Sequence, residues 1–472
     1  MRPIAVSVIA AALMYLVPTF AIAMESGGHP HLDLTTTWVG YTSLLVFVVA
    51  YLLVMAEEFT HLRKSKPVVL AAGLIWLFIA YYYTTETGHS EGVGEAVRHN
   101  IMEFAELFLF LLAAMTYINT MEERRVFEAL RSWLIRRGFS YRKLFLLTGI
   151  LAFCISPVAD NLTTALLMCA VVLAVGSDNP KFVGLACINI VVAANAGGAF
   201  SPFGDITTLM VWQKGIIHFQ TFFLLFIPAV VTFGVPAYFM YKHIPDETPP
   251  PHEDNVSMKR GAKRIILLFL LTIATAVSFH NFYHLPPVLG MMTGLAYLKF
   301  FFFYMKQTGE TASLKRADGD AEDVLPFDIF HLGVARAEWD TLMFFYGVIL
   351  CVGGLGYIGY LELVSQVSYG DIGPTFANVG VGILSAIVDN IPVMFAVLTM
   401  NPEMSQGQWL LVTLTAGVGG SMLSIGSAAG VALMGQSKGM YTFFGHLRYT
   451  PVIAAGYVAG IVTHFIVNFW TF

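Results

Sequence analysis

The sequence predicts an all-α polytopic membrane protein built from two inverted-topology repeats, with discontinuous helices and re-entrant hairpins. Three observations lead to this prediction: the composition, the recurrence of apolar stretches and a polar string that occurs twice. Charged residues make up 12% of the 472 residues and hydrophobic residues 57%, whereas a soluble domain carries about 25% charged residues. Apolar stretches of about 20 residues recur from end to end, and each can cross the hydrocarbon core as a helix. They cover 38–56, 68–83, 103–120, 221–241, 265–280, 286–304, 341–360 and 451–472.

The N-terminal segment 1–37 stands apart from the rest of the chain. Arg2 precedes an apolar run that ends in Ala21-Ile22-Ala23, which fits the small-residue cleavage site of a signal peptide. An uncleaved first helix fits the same pattern. In both cases the residues that follow, up to Thr37, are expected outside the membrane as a short external segment.

The charges of the loops orient the remaining helices, because cytoplasmic loops carry an excess of Lys and Arg. The basic loops are expected inside, and two loops poor in Lys and Arg are expected outside. The inside loops are 61–66, 121–143, 242–264 and 305–338, and the outside loops are 84–100 and 361–374. Within 121–143, the apolar residues Phe127, Leu130 and Leu134 fall at helical spacing. This spacing favours a helix on the inner membrane surface, although a solvated basic loop that only sets the topology is an open alternative.

The strings SPVADNLTTALLM (156–168) and SAIVDNIPVMFAV (385–397) each place an Asp-Asn pair in apolar sequence. A carboxylate at bilayer depth costs about 2.5–3.5 kcal/mol on insertion scales, so it is rarely retained without a function. One buried acid could be an accident of packing. Two acids in matching contexts, Asp160 and Asp389, indicate a duplicated device that handles ions.

Further similarities extend the duplication into a repeat. AMTYINTMEE (114–123) resembles GLGYIGYLEL (354–363), and GGAFSPFGDITTLM (197–210) resembles GGSMLSIGSAAGVALM (419–434), with Asp205 over Ser427. The loop charges make helices 103–120 and 341–360 run in opposite directions, so the repeat is predicted to be inverted, as in secondary transporters. The predicted segments are 1–37, N-terminal helices 38–102, repeat one 103–242, a linker with two connecting helices 243–338, and repeat two 339–472.

Proline and glycine mark the expected helix breaks. Ser156-Pro157 and Pro392 should interrupt the first pair of helices in each repeat, because proline removes a backbone donor. The glycines in 197–204 and 417–426 should interrupt the second pair. Irregular backbone at membrane depth is tolerated where it is buried in protein or lines a wet cavity, so the polar residues beside the breaks are expected to form a site.

The charge of these polar residues favours a cation as the substrate. The core motifs contain Asp160, Asp205 and Asp389 but no Arg. Acid, amide, hydroxyl and freed carbonyl oxygens suit a small hard cation, and carboxylates also bind protons. For any single hydroxyl, an ordinary role in capping or interhelical hydrogen bonding is an equally good explanation. The sequence therefore favours exchange of a cation for a proton by alternating access.

From about residue 38 to 472, the chain resembles the NhaD family of bacterial Na⁺/H⁺ antiporters, within the ion transporter superfamily. The strings SPVADN, SAIVDN, NAGGAFSPFGDITT and GGSMLSIGSAAG carry the resemblance. It implies efflux of Na⁺ or Li⁺ in exchange for entering H⁺, a location in the lipid bilayer of the inner (cytoplasmic) membrane, and a homodimer. The motif positions that carry over as cation- and proton-binding candidates are Ser156, Asp160, Asn161, Asn195, Asp205, Thr207, Thr208, Ser385, Asp389, Asn390, Ser424 and Ser427.

Two further acids are candidates for a proton relay. Glu106 shares a helix face with His99 and Glu103 at the outer end of helix 103–120. Asp340 lies at the inner end of helix 341–360, where it could instead cap the helix.

Other classes of protein are less favoured. An anion permease of the same architecture, of the dicarboxylate or arsenite type, is the alternative function, and the paired acids argue against it. The chain contains no HExxH motif and no sizeable soluble domain, which argues against an enzyme. We expect no cofactor and no nucleic-acid partner.

Overall fold

The protein is a polytopic membrane protein whose described residues form helices and no strand. The computed structural model describes residues 33–60, 62–88, 91–176, 178–248, 256–313 and 334–472. The segment 1–23, for which a signal peptide or first helix is predicted, lies outside the described residues. Among the described residues, ten helices are long and apolar enough to cross a membrane. Every apolar stretch predicted to span the membrane is confirmed as helical.

The N-terminal helices precede the first half of the repeat. They are α1 (Trp38–Met55), the short α2 (Glu57–Thr60) and α3 (Ser65–Tyr82), and α3 continues into a π-helical turn at Tyr83–Thr87. Thr37 caps α1 by accepting a hydrogen bond from the Gly40 N–H at 3.3 Å, a side-chain bond typical of helix starts.

The first half of the repeat begins with a helix that is longer than the sequence predicts. This helix starts at residue 91, so the boundary predicted at 102/103 falls inside it. Segment 121–143 contains a helix, as predicted from its apolar spacing. The helices of this half are α4 (Glu91–Glu123), α5 (Val126–Arg136), α6 (Tyr141–Ala159), α7 (Asn161–Gly176), α8 (Pro180–Gly198), α9 (Ile206–Gln213) and α10 (Phe226–Tyr241), with a 3₁₀ segment at Phe219–Leu225.

Two connecting helices and the second half complete the chain. The connecting helices are α11 (Ala262–Tyr283) and α12 (Pro287–Ser313). The second half contains α13 (Trp339–Ile358), α14 (Tyr360–Ser365), α15 (Pro374–Ser385), α16 (Asn390–Met400), α17 (Gln406–Gly419), α18 (Ala428–Gln436), α19 (Phe443–Leu447) and α20 (Thr450–Val467). A π-helical segment at Gln366–Asp371 and a 3₁₀ turn at Phe469–Thr471 lie between and after them.

Helices α6 and α7 form a hairpin. The ring of Tyr141, at the start of α6, lies 4.5 Å from the ring of Phe182, just beyond the end of α7. Because α7 returns to the end from which α6 departs, the turn between them, at Asp160, is the tip of the hairpin. Helices α15 and α16 are arranged in the same way: the Asn378 amide of α15 donates to the Gln408 carbonyl, beyond the end of α16, at 3.0 Å.

The two halves also share a second break, where the backbone packs closely. Helix α8 ends at Gly198 and α9 starts at Ile206, and α17 ends at Gly419 and α18 starts at Ala428. A Cβ atom on Gly197 would lie 2.3 Å from the Phe153 carbonyl oxygen, and one on Gly419 would lie 2.1 Å from the Gly382 carbonyl oxygen. The glycines therefore permit the close contact between each hairpin and the interrupted helix beside it.

The prediction that Pro392 breaks a helix is wrong. Pro392 lies in the first turn of α16, and the break precedes it at 386–389. Proline is accommodated in a first turn because the N–H that it lacks would have no intrahelical partner there. Pro157 lies inside α6, which continues to Ala159.

Corresponding helices of the two halves pack in a reciprocal pattern. Helix α9 packs against α16, and its counterpart α18 packs against α7, while α10 packs against α20. Helices α4 and α13 run antiparallel: Phe104 contacts Tyr346 with ring centroids 5.3 Å apart, and further along α4, Phe108 contacts the earlier residue Trp339 at 6.0 Å. The two interrupted helices also pack together, which brings their breaks to the middle of the molecule.

Candidate cation-binding site

Asp205 lies at the centre of the polar residues around the helix breaks. It is the N-cap of α9, and its side-chain oxygen Oδ1 accepts a hydrogen bond from the Thr207 N–H at 3.2 Å. Only 4% of Asp205 is exposed. The neighbouring Thr208 is fully buried, and its hydroxyl donates to the carbonyls of Ser201 and Asp205 at 2.8 and 2.6 Å. The second break is therefore a fixed turn that presents a buried carboxylate.

Two asparagines, one from each hairpin, donate to this carboxylate. The side-chain nitrogen of Asn161 lies 3.2 Å from Asp205 Oδ2. The side-chain nitrogen of Asn390 lies 3.3 Å from Oδ1 and 3.1 Å from Oδ2. The paired Asp-Asn strings therefore meet at Asp205 through their asparagines rather than their acids.

A further chain of hydrogen bonds joins the two halves. Asn161 also donates to Asn195 Oδ1 at 3.0 Å, and Asn195 donates to the Ser427 hydroxyl at 3.1 Å. The Ser427 oxygen caps α18 by accepting from the Gly430 N–H at 3.3 Å. The network thus contains one carboxylate, three amides and one hydroxyl, drawn from both hairpins and both interrupted helices.

Asp160 lies close to this network but has different partners. Its backbone has φ of 54°, and its two carboxylate oxygens accept from the N–H and the hydroxyl of Thr163, each at 2.8 Å. Asp160, Asn161, Thr163, Asp205 and Asn390 line one cavity of about 100 Å³. Asp160 therefore caps α7 and faces the same space as Asp205.

Asp389 faces a second, larger cavity. Its Oδ2 lies 3.5 Å from the ammonium nitrogen of Lys64, whereas its Oδ1 is buried without a hydrogen-bond partner among the described residues. The cavity measures about 560 Å³, and Glu57, Asp340 and Ser427 also contribute to its wall. Asp389 therefore lines the second cavity and lies outside the network around Asp205.

The remaining hydroxyl candidates separate into two kinds. Ser156 and Ser385 donate to the carbonyls of Ala194 and Ala416 at 2.6 and 2.7 Å, so they fasten each hairpin to the adjacent interrupted helix. The Ser424 hydroxyl is buried in the second break of the second half, without a hydrogen-bond partner among the described residues.

The two candidates for a proton relay lie away from Asp205. Glu106 lines a third cavity together with Glu103 and Lys214, and Glu103 pairs with Lys214 and His99. The capping role considered for Asp340 is wrong. The N-cap of α13 is Glu338, and Asp340 lies in the first turn, where it accepts a hydrogen bond from the Ser65 hydroxyl.

Lys64 lies beside the candidate site, although sequence reasoning did not single it out. The loop charges assign it only to a cytoplasmic loop, whereas in the structure it lines both cavities beside Asp160 and Asp389. The two strings differ three residues after the acid, where the first has Thr163 and the second has Pro392. This difference indicates that Asp160 and Asp389 have different partners.

The donor set suits a small hard cation. The carboxylates of Asp160 and Asp205 line one cavity. With the amide and hydroxyl oxygens beside them, they offer the oxygen ligands that hard cations prefer.

Comparisons with known proteins identify the family of this chain. A family model described as citrate transporter matches residues 1–417. A protein of Vibrio parahaemolyticus named Na⁺/H⁺ antiporter NhaD is 63% identical over 408 residues, covering 84% of this chain and 98% of its own length. Proteins of the same name from Vibrio cholerae and Alkalimonas amylolytica are 59% and 56% identical, over 93% and 97% of this chain and 94% and 95% of their own lengths. The chain therefore belongs to the citrate-transporter family and, within it, to the NhaD family of Na⁺/H⁺ antiporters.

Proposed function

We propose that this protein exchanges cytoplasmic Na⁺ or Li⁺ for external protons, by alternating access at a carboxylate site in the middle of the membrane. The observation that carries the proposal is the position of Asp205. Its buried carboxylate meets amide groups from both hairpins, at the junction of two interrupted helices. Binding sites of secondary transporters lie where broken helices meet near the bilayer midplane.

Exchange follows from competition for the same oxygens. A carboxylate binds either a proton or a cation, so the two substrates occupy Asp205 in alternation. The amides of Asn161 and Asn390 donate to this carboxylate. Each amide also has an oxygen that it can turn toward an arriving cation.

Alternating access would use the inverted repeat. The antiparallel course of α4 and α13 and the reciprocal packing of the interrupted helices support the predicted inversion. In such a fold, rocking of one half against the other opens the site to each side in turn. The cavity at Asp389 adjoins Arg63 and Lys64, in a loop predicted to be cytoplasmic, so we assign the structure to an inward-facing state.

The citrate named in the family description is not the substrate we propose. An anion in the central site would meet the carboxylate of Asp205, and like charges at close range in a desolvated site repel strongly. Relatives that are 59% and 63% identical to this chain are named Na⁺/H⁺ antiporters, which further supports a cation. We also propose a homodimer in the bacterial inner membrane, as the resemblance implies.

Transport by everted vesicles tests the function. The vesicles are acidified by respiration, and recovery of a pH-sensitive dye is followed on adding Na⁺, Li⁺, K⁺ or citrate. We expect recovery with Na⁺ and Li⁺ and none with citrate, and we expect Asp205→Asn to abolish it. Recovery with citrate alone would instead support the anion permease.

A further inference from the structure

Asp160 and Asp389 occupy the same place in the two hairpins but have different partners. Each is the last residue before the returning helix of its hairpin. Asp160 accepts two hydrogen bonds from its own helix, both from Thr163. Asp389 makes no capping bond to its own helix and pairs instead with Lys64, from a distant part of the chain.

The difference has a cause in the sequence. The residue three positions after the acid is Thr163 in the first hairpin and Pro392 in the second. A capping side chain accepts from the N–H of the second or third residue of its helix, and threonine at the third position adds a hydroxyl. Proline has no N–H and no hydroxyl. Asp389 therefore lacks both donors that Thr163 gives to Asp160. One of its oxygens has no hydrogen-bond partner among the described residues, and the other faces Lys64.

Lys64 is placed to act as that cation. It is the residue before the first turn of α3, its side chain is only 17% exposed, and its ammonium nitrogen lies 4.5 Å from the centre of the Phe344 ring. The ammonium is a compact charge on a flexible stem with three rotatable donors. The separation of 3.5 Å from Asp389 is longer than a close charge-assisted bond, so Lys64 can withdraw without breaking a bidentate contact.

We infer that Lys64 is a tethered cation that pairs with Asp389 while no transported cation is bound there, and that it withdraws when one binds. The inference deepens the proposed function and rests on it. Lys64 then sets how strongly Na⁺ must compete for the oxygens of Asp389. The other charged residues that line the two cavities beside Lys64 are Glu57, Arg63, Asp160, Asp205, Arg336, Glu338 and Asp340.

Removing the charge of Lys64 has a consequence of defined sign. In Lys64→Met no ammonium competes with Na⁺ for the Asp389 carboxylate. The apparent KM for Na⁺ should therefore fall several-fold below that of the unchanged protein at the same pH.

Lys64→Arg should act in the opposite direction. Guanidinium binds a carboxylate bidentately and more strongly than ammonium does. The apparent KM for Na⁺ should therefore rise in Lys64→Arg and fall in Lys64→Met, a contrast that a purely structural role of the charge would not produce. Lys66→Met is the matched control, because Lys66 is exposed and its loss removes the same charge two residues away.

The role of Pro392 supplies an independent test. Pro392→Thr offers Asp389 the N–H and hydroxyl that Asp160 already has, so the carboxylate should depend less on Lys64. In a double-mutant cycle, the fall in the KM for Na⁺ caused by Lys64→Met should shrink by at least half in the Pro392→Thr background. Additive changes in KM would contradict the inference.

The experiment measures Na⁺-dependent dye recovery in everted vesicles from pH 6.5 to 9.5 at several Na⁺ concentrations, with equal amounts of each variant in the membrane. The inference is overturned if Lys64→Met and Lys66→Met give the same KM for Na⁺. If Lys64→Met fails to accumulate, the KM for Na⁺ of Lys64→Arg tests the inference: a rise supports it, and an unchanged or lower KM overturns it. If the unchanged protein itself gives no recovery with Na⁺ or Li⁺, the proposed function fails, which is a different result.

Discussion

Asp205 and Ser427 hold the same backbone conformation at corresponding points of the two halves. Their φ and ψ angles are −144° and 145° for Asp205, and −143° and 149° for Ser427. Each caps the short helix that follows the second break, and each accepts a hydrogen bond from a backbone N–H of that helix. Only one of the two carries a charge, so the halves share a backbone geometry and differ in their chemistry.

This relationship predicts unequal effects of two substitutions. Asp205→Ser removes the only carboxylate of the central network and should lower the affinity for Na⁺ steeply. Ser427→Ala removes one hydroxyl, which contributes about 0.5–1.5 kcal/mol as a hydrogen-bonding group. The affinity for Na⁺ should therefore fall roughly tenfold at most. The measurement is the apparent Na⁺ affinity of both variants at one pH, with matched expression. A milder defect in Asp205→Ser would place the ion site elsewhere.

The acids of the two hairpins can be tested without disturbing the helix starts. Asparagine caps helices about as well as aspartate does, but it cannot release a proton or offer a negative charge. We expect Asp160→Asn and Asp389→Asn each to abolish exchange while the protein still inserts into the membrane. The measurement is Na⁺-dependent dye recovery over the whole pH range.

Thr163→Val is the control for Asp160, because it removes the hydroxyl that donates to the carboxylate and keeps the acid. This variant should retain exchange. Exchange by Asp160→Asn at the unchanged rate would mean that Asp160 serves only as the cap of α7.

The sequence predicts the helices and the residues of the site better than it predicts their contacts. Hydropathy locates the spanning helices because each must be apolar over the width of a bilayer. The Asp-Asn strings identify the hairpin tips because ionisable residues in apolar sequence are costly. The asparagines rather than the acids reach Asp205 because of the way the two hairpins pack. That packing cannot be read directly from the sequence. Lys64 was missed for the same reason, since it meets Asp389 only in the folded protein.

The glycines beside the second breaks should be intolerant of any side chain. A Cβ at Gly197 or Gly419 would come within 2.3 or 2.1 Å of a backbone oxygen, so the helices would have to separate. Overpacking of this kind costs about 1–3 kcal/mol or more. We expect Gly197→Ala and Gly419→Ala to lower the melting temperature of the purified protein in detergent and to reduce exchange.

Gly380→Ala is the control for these variants, because Gly380 lies in α15 and a Cβ there would meet no atom within 4 Å. This variant should melt at the temperature of the unchanged protein or slightly above, since alanine favours helices more than glycine does. Equal melting temperatures for all three variants would show that the close contacts between hairpin and interrupted helix are not required.

The inverted repeat predicts opposite sides for two loops that occupy corresponding positions in the halves. Segment 121–143 follows α4 and segment 361–374 follows α13, and these helices run antiparallel. Single cysteines at the exposed positions Arg137 and Asp371, in a background from which the native cysteines are removed, should react from opposite sides with a membrane-impermeant maleimide. Asp371→Cys should label in intact cells, and Arg137→Cys only in everted vesicles, because basic loops stay in the cytoplasm. If both were labelled from the same side, the two halves could not be inverted, and alternating access by rocking of symmetric halves would have to be abandoned.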